Sequence, residues 1–477
     1  MPELPEVETV RLTLLNLIKG RKIKDVLFFY DKIIKNQTTN DFRNKLINQE
    51  IRDMRRIGKY LLFDMDNFTL VSHLRMEGKY FIKENLDELS KHEHIVFVLD
   101  NGKLLAYHDV RKFGTMELVE LKKESTLESI KVLGREVNSD DLDVEYLYPL
   151  IRKSARPIKS ILLDQHIITG LGNIYVDETL FSARIHPERL GNTLSSYQVK
   201  KIIKSAKAVI KKAIELGGTT IRTYQSSLGV DGRFQNELNV HTLAGKKCKN
   251  CNDIIKKIRV GGRGTYYCPT CQRNYNSLVI GLTGGIASGK SVISDWFIKR
   301  KVKVLDADKI YKNLLKTNEI MYNEIVDEFG QDVVKDNKID TLSLGKIVFS
   351  DKKKRLRLNA ITHPYVIVEM RLQIKSLIKD GNKLIILDVP LLYETKIEYM
   401  SDLVMLAFAK KETQIKRLMK RDNIDEAVAK TKISSQYTLE NKKKKADIII
   451  NNNDTIEKTN KQLLNIYKEL RSEGYVI

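Results

Sequence analysis

Two clusters of residues can do chemistry by virtue of their spacing. The four cysteines of the chain form Cys248-x-x-Cys251 and Cys268-x-x-Cys271, separated by residues 252–267. Two such knuckles bring four thiolates into a tetrahedron around one Zn²⁺ with no open position, so the metal is structural. Two unrelated cysteine pairs are the competing reading. The loop between them, Arg259-Val260-Gly261-Gly262-Arg263, is basic and glycine-rich. A hairpin pinned by zinc would present Arg263 to a phosphate or a base edge. The second cluster, Gly284-Gly285-Ile286-Ala287-Ser288-Gly289-Lys290-Ser291, fits GxxxxGK[ST]. It follows an apolar run and opens a helical pattern, the context that motif requires. Backbone amides there cradle the phosphates of ATP, Lys290 reaches the β and γ oxygens, and Ser291 holds Mg²⁺.

The elements that must position these groups can be read from periodicity. Val7, Val10, Leu14 and Ile18 share one face of a helix that Pro5 opens and Gly20 stops. Between 23 and 118, short alternating or β-branched runs (60–63, 68–72, 95–99, 103–107) are separated by turns such as Asp100-Asn101-Gly102, which predicts a β-rich domain. From 142 to 217 the pattern is helical, including the lysine-studded stretch 195–216. After residue 277, apolar strands at 278–282, 302–305, 384–387 and 403–407 alternate with helices, which implies a parallel sheet with right-handed crossovers.

The balance of 83 basic against 61 acidic residues leaves a net charge of +22, which favours polyanionic partners. A chain rich in Lys, Asn and Ile is also what an A+T-rich genome encodes, so charge alone does not establish nucleic-acid binding. No apolar run approaches the roughly 18 residues needed to cross a bilayer. A cytoplasmic protein without a membrane partner is expected.

Pro2-Glu3-Leu4-Pro5-Glu6-Val7-Glu8-Thr9-Val10 resembles the opening of the formamidopyrimidine-DNA glycosylase family. The resemblance continues through Gly58-Lys59-Tyr60, His73-Leu74-Arg75-Met76, Asp109-Val110-Arg111-Lys112-Phe113-Gly114, Gly170-Leu171-Gly172-Asn173 and Ile185-His186-Pro187 to the cysteines. It implies that Pro2, freed of Met1, attacks the sugar C1′ as a secondary amine. An α-amino group has a pKa near 8 (about 7.7–8.0), so a useful fraction is unprotonated at neutral pH. Glu3 would protonate the sugar ring oxygen, and Lys59 would contact the lesion phosphate. Met76, Arg111 and Phe113 would fill the gap left by an everted nucleotide. Core packing for Met76 and Phe113, and a surface ion pair for Arg111, are the alternatives. His73 belongs to the implied DNA-binding set, Asn173 and Arg263 would hold phosphate, and 217–224 would read the extruded base. Three departures stand out: Arg75 replaces a usual glycine, 133–136 lacks a usual proline, and His241-Thr242-Leu243 replaces an aromatic-Gly-Arg run.

The second half resembles dephospho-CoA kinase through Leu282-Thr283-Gly284, Leu305-Asp306-Ala307-Asp308, His363-Pro364, Asp388-Val389-Pro390-Leu391-Leu392-Tyr393-Glu394, Arg417 with Arg421, Gln436 and Ala446-Asp447. Asp308 would take the proton of the acceptor's ribose 3′-hydroxyl, although a helix N-cap role suits it equally. Arg417 and Arg421 would neutralise the transferring phosphoryl group, and His363, Leu391 and Glu394 would shape the acceptor site. Ala287 replaces a frequent glycine.

The expected chain is therefore multidomain. A β-rich N-terminal catalytic domain (1–135) leads to a helical helix–two-turn–helix domain (136–245) with a zinc-finger hairpin (246–273). After a linker (274–277) comes an α/β P-loop kinase with a parallel sheet (278–477). The implied activities are excision of oxidised purines (8-oxoguanine, formamidopyrimidines) with β,δ-elimination, and ATP-dependent 3′-phosphorylation of dephospho-CoA. The implied partners are double-stranded DNA containing oxidised bases, ATP and dephospho-CoA, with a monomeric glycosylase half. A DNA-damage-binding module with an ATP-switched P-loop domain is the alternative.

Overall fold

The computed structural model describes residues 2–219 and 232–476 and divides into two compact units, Met1–Gln272 and Arg273–Ile477. In the first unit, helix Leu4–Ile18 starts with Pro5 in its opening turn and a capping box in which Glu3 and Glu6 satisfy each other's backbone N–H groups. Val7, Val10, Leu14 and Ile18 are buried, the face expected from their spacing. They pack into one core with two four-stranded antiparallel sheets. The strands are β1 (Ile23–Phe28), β2 (Ile51–Ile57), β3 (Tyr60–Met65), β4 (Phe68–His73), β5 (Lys79–Lys83), β6 (Glu93–Leu99), β7 (Leu104–His108) and β8 (Thr115–Glu120). Their orders are β1-β6-β7-β5 and β2-β3-β4-β8. A short parallel pair, β9 (Arg135–Glu136) and β10 (Ile168–Thr169), leads into the helical part.

There, helices Val144–Arg152, Ile158–Leu162, Asn173–Ala183 and Ser196–Glu215 enclose a second core that includes Leu4 from the chain's start. Gly170 permits this contact. At φ +101° its missing Cβ would lie 2.5 Å from Leu4 Cδ1, so any side chain would drive the opening helix away. The zinc-finger hairpin is β11 (Lys256–Val260) and β12 (Arg263–Tyr267), antiparallel and closed by Gly261-Gly262 at φ +54° and +76°.

The second unit carries a five-stranded sheet of β13 (Leu278–Gly284), β14 (Lys303–Asp306), β17 (Leu384–Asp388), β18 (Leu403–Phe408) and β19 (Ile448–Asn451). Every pairing is parallel, in the order β14-β17-β13-β18-β19. A small hairpin, β15 (Val334–Lys335) with β16 (Lys338–Ile339), lies apart from it. The strands β13, β17 and β18 are buried throughout, as central strands covered on both faces must be. The sequence reading placed neither β19 nor the hairpin. The segment 274–277, expected as a linker, packs onto this unit. Arg273 lies 5.4 Å from the Tyr275 ring centroid, and buried Ser277 donates through Oγ to the Asn382 carbonyl at 2.8 Å.

The three places where glycine was expected and another residue stands share one property. Arg75 (φ +53°), Thr242 (φ +64°) and Ala287 (φ +57°) all adopt the left-handed conformation. The backbone keeps the glycine geometry while the side chain is accommodated at a cost, greatest for β-branched Thr242. Thr242→Gly is therefore expected to stabilise the first unit by about 1 kcal/mol, read from the denaturant midpoint of the full chain.

Candidate active sites

At the start of the chain, Pro2 and Glu3 are buried beside the N-terminus of helix Asn173–Ala183. Glu3 Oε1 accepts from the Ile174 N–H at 3.1 Å, and Oε2 from the Tyr175 N–H at 3.5 Å, an anion site made of backbone donors. Gly172 makes room for it, since a Cβ there would stand 2.1 Å from the Glu3 carboxyl carbon. Lys59, 6% exposed, donates from Nζ to the Leu171 carbonyl at 2.6 Å. Its strand turn is held by Gly58 (φ +57°), whose N–H reaches Glu136 at 2.6 Å, and Glu136 in turn binds Arg56 at 2.7 Å. Glu6 lies behind, taking hydrogen bonds from the Tyr175 hydroxyl at 2.5 Å and the Thr219 N–H at 2.8 Å. Burial pushes the Glu3 carboxyl above its ordinary range, opposed by Lys59 and reinforced by Glu6. Burial also pushes the Lys59 ammonium down, opposed by Glu3 and Glu6. Burial thus shifts the two groups towards each other, the carboxyl upward and the ammonium downward.

The expected wedge residues are on the surface. Met76 is 37% and Phe113 51% exposed, and the Arg111 guanidinium sits 4.8 Å from the Phe113 ring centroid. Met76 and Phe113 are therefore not core residues, and among the described residues Arg111 forms no ion pair. Buried Asp109 shapes their loop, accepting from the N–H groups of Arg111, Phe113 and Gly114 at 3.0, 2.9 and 2.8 Å. His73 packs edge-on against Tyr60 with centroids 4.4 Å apart and accepts the Arg75 N–H at 2.9 Å. Burial, with Arg75 and Lys59 nearby, lowers it to about 3, so it is neutral at physiological pH. Of the expected base-reading loop, Gly218 and Thr219 line Glu6, whereas 220–224 lie outside the described residues.

The sequence reading missed a buried cluster behind Arg263. Lys159, fully buried, pairs with Asp177 Oδ1 at 2.6 Å and donates to the Gly264 carbonyl at 3.2 Å. Asn173 Nδ2 reaches the same carbonyl at 3.0 Å. Asp177 Oδ2 meets His241 Nδ1 at 2.8 Å and accepts the Tyr266 N–H at 3.2 Å. The strand that presents exposed Arg263 is thus clamped to the helical part immediately after that residue. A lysine in helix Ile158–Leu162, an aspartate one turn into the next helix and a distant histidine carry no shared spacing, so no motif marked them.

The four cysteine sulfurs lie within 4.8 Å of one another, with Cys248–Cys271 at 3.8 Å and Cys251–Cys268 at 3.4 Å. A tetrahedron with Zn–S bonds of about 2.3 Å has sulfurs about 3.8 Å apart, so the set fits a closed structural Zn²⁺ site. Buried Gln272 ties the finger down, accepting the Cys268 N–H and donating to the Ile185 carbonyl, both at 3.0 Å.

In the second unit the glycine-rich turn joins β13 to helix Lys290–Ile298. Gly289 (φ +83°) is its N-cap, and a Cβ there would lie 1.9 Å from Asn452 Nδ2. Asn452 donates to the Ser288 carbonyl at 2.8 Å, Gln414 to that of Ile286 at 2.6 Å, and Gln436 accepts the Ile286 N–H at 3.0 Å. Buried Lys442 donates to the Gly284 carbonyl at 2.9 Å and pairs with Glu394 at 2.9 Å. Ser288 Oγ accepts the Gly285 N–H, and Gly284 and Ser291 bracket the turn. At the end of β17, Asp388 holds both Lys290 and Ser294, a role the motif did not reveal. Asp308 is not the N-cap of its helix. Asp306 takes that role, accepting the N–H groups of Asp308 and Lys309 at 2.9 and 3.1 Å. Asp308 is exposed, and its carboxyl is pushed up by partial desolvation and by Asp306, with Lys290 opposing. Arg417 reaches to within 3.7 Å of where a Gly289 Cβ would be, whereas Arg421 is exposed and bound to Asp422 at 2.8 Å. Burial lowers His363 within the long helix Lys352–Lys379.

Two antiparallel sheets, a helical domain and a Cys₄ hairpin around a buried N-terminal acid define a base-excision glycosylase, and the P-loop on a parallel sheet defines a phosphoryl-transfer kinase. Residues 1–116 match the family described as formamidopyrimidine-DNA glycosylase N-terminal domain, 133–225 its H2TH domain and 245–274 the zinc finger found in FPG and IleRS. Residues 278–458 match dephospho-CoA kinase. The formamidopyrimidine-DNA glycosylase of Listeria monocytogenes is 44% identical over 273 residues, 57% of this chain and 100% of that protein. The Oceanobacillus iheyensis enzyme is 45% identical over 275 residues, 57% and 98% respectively. A mutant Lactococcus lactis FPG in complex with Fapy-dG-containing DNA superimposes with TM-score 0.54 at 42% identity, covering 57% of this chain and all of that one. MutM in complex with carbocyclic 8-oxo-G-containing DNA gives 0.54 at 41% identity over the same shares. The chain belongs to the formamidopyrimidine-DNA glycosylase family and carries a dephospho-CoA kinase domain after it, two enzymes in one polypeptide.

Removing one member of the clamp tests it. Lys159→Met leaves Asp177 buried without its cation and is expected to cost the full chain about 3 kcal/mol or more, measured by denaturant unfolding. Adding Asp177→Asn should recover part of the loss.

Proposed function

We propose that the first unit excises oxidised purines, 8-oxoguanine and formamidopyrimidines, from double-stranded DNA and nicks the strand, with Pro2 as nucleophile and Glu3 as acid. The buried Glu3 carboxylate at the helix N-terminus, next to Pro2, carries this reading. The Pro2 nitrogen bonds to C1′ while the glycosidic bond breaks and the base leaves with a proton. Glu3 supplies a proton to the ring oxygen as the C1′–O4′ bond breaks and the nitrogen lone pair forms the C1′ iminium, which acidifies C2′. Loss of the C2′ proton then breaks the 3′ C–O bond, and a further elimination breaks the 5′ one. Lys59, Asn173 and Arg263 hold phosphates, His73 supports them as a neutral donor or acceptor, and Met76, Arg111 and Phe113 fill the vacated stack. Relatives solved with Fapy-dG and 8-oxo-G DNA support the lesion class.

We also infer that the second unit transfers the γ-phosphoryl group of ATP to the 3′-hydroxyl of dephospho-CoA. Asp308 accepts the hydroxyl proton as that oxygen bonds to phosphorus, and ADP departs with the bridging oxygen. Gly284, Gly285, Ile286, Ala287, Ser288 and Gly289 wrap the phosphates, Lys290 and Arg417 neutralise them, Arg421 closes from the same helix face, and Ser291 holds Mg²⁺, which supplies charge neutralisation.

Borohydride should trap the Met-processed chain on an 8-oxoguanine duplex. Glu3→Gln should lower excision by about 10²-fold or more, and an undiminished rate would remove Glu3 from the mechanism. Because the folded Glu3 pKa is raised, its ionised form penalises the fold above that pKa. Glu3→Gln should therefore raise the thermal midpoint at neutral pH, with the gain shrinking as pH falls into the acid range. With ATP, Mg²⁺ and dephospho-CoA the chain should form CoA. Lys290→Met and Asp308→Asn should each cut the rate at least about 10²-fold while leaving excision intact, and normal CoA formation by both would refute the assignment.

A further inference from the structure

Helix Ser196–Glu215 carries Lys200, Lys201, Lys204, Lys207, Lys211 and Lys212, and its one acidic residue is the terminal Glu215. Its other side, from Val199 through Ile202, Ala206 and Ile210 to Ala213, is buried in the helical core. Lys200, Lys204, Lys207 and Lys211 recur at i, i+4, i+7 and i+11, so they fall on one line along the helix. The first two and Lys211 are exposed and Lys207 is half-buried. Among the described residues none of these four forms an ion pair, whereas neighbouring Lys212 is taken by Glu237 at 2.5 Å.

Such a line does not help the helix. Like charges at i, i+4 cost an isolated helix about 0.2–0.5 kcal/mol per pair. It does fit a polyphosphate. At 1.5 Å per residue the four positions span about 16 Å in steps of about 4.5–6 Å, and duplex DNA presents a charge every 1.7 Å or so of its axis. The position of the helix adds to this. It ends at Glu215, and three residues further on a Cβ on Gly218 would lie 2.8 Å from Glu6 Oε1. The lysine line therefore begins about 6 Å along the axis from the helix end that leads to Glu6 and runs away from it.

We propose that Lys200, Lys204, Lys207 and Lys211 form a second DNA-backbone contact, engaging undamaged duplex outside the lesion cleft. This rests on the reading of the first unit as a DNA-acting enzyme. The contact is sequence-independent, because lysine ammonium groups meet phosphates as point charges. It would retain the enzyme on DNA between lesions.

The test compares the full chain with K200Q/K204Q/K207Q/K211Q on a long undamaged duplex across a range of salt. Each phosphate contact contributes about 0.9 to the slope of log affinity against log salt, so the variant should bind with a slope shallower by about 3 to 4. Its excision rate on saturating lesion duplex should be unchanged. The corresponding four-arginine variant should keep the parental slope, which a merely structural role for these side chains would not predict. An unchanged slope in the glutamine variant overturns the proposal, as does an equal shift in the arginine variant. Failure of the unsubstituted chain to excise would instead overturn the function proposed above, because the slope on undamaged duplex bears on the lysine line alone.

Discussion

Holding Pro2, the proposed nucleophile, in place is a constraint on everything around it, because the first residues of a chain fray unless they are tied down. The first unit meets that constraint by burying Glu3 against the N–H groups of Ile174 and Tyr175. One carboxylate thereby caps its own helix, is held by the N-terminus of another 170 residues on, and remains next to Pro2. Leu4 follows it into the helical core while Val7 and Val10 pack against the sheets. The opening helix is thus the shared wall of both cores. Gly170 and Gly172 are glycines because Leu4 and Glu3 occupy the space a side chain would need.

The same burial shifts the proton affinities of the site. Desolvation raises the Glu3 carboxyl and lowers the Lys59 ammonium, and each opposes the other's shift through their mutual attraction. A site relaxed for stability would expose or fully neutralise the pair. Glu6 behind the pair is held by the Tyr175 hydroxyl and the Thr219 N–H. The cost is spread over two well-packed cores.

Much of this was legible in the sequence, for identifiable reasons. The Cys₄ knuckles and the P-loop depend on residue type at fixed separation, and helix Leu4–Ile18 announced itself through Pro5 and the Val7–Ile18 stripe. The Lys159–Asp177–His241 cluster did not, because its members come together only through tertiary packing. Asp388 was visible as part of a motif, but not as the partner that holds Lys290. The strand β19 alternates buried and exposed residues beside a lysine-rich helix, so it lacked the continuous apolar run that marked β13 and β18. The replaced glycines were noted as separate departures, and only the backbone angles show that they are one phenomenon. The fold keeps the left-handed turn and tolerates Arg75, Thr242 and Ala287 within it.

The two units solve a common problem by the same device. In the function proposed for each, a lysine must meet a phosphate, and an ammonium buried without a partner is costly. In the first unit Lys59 rests on the Leu171 carbonyl, and in the second Lys290 rests on Asp388. An arriving phosphate then replaces an existing acceptor, so binding exchanges one electrostatic partner for a stronger one without first paying to desolvate the cation. The acceptors differ in consequence. A carbonyl releases its lysine without leaving a charge behind, which suits a site that must engage and leave successive DNA phosphates. A carboxylate released by Lys290 would keep its charge at the strand end, where Ser294 still donates to it.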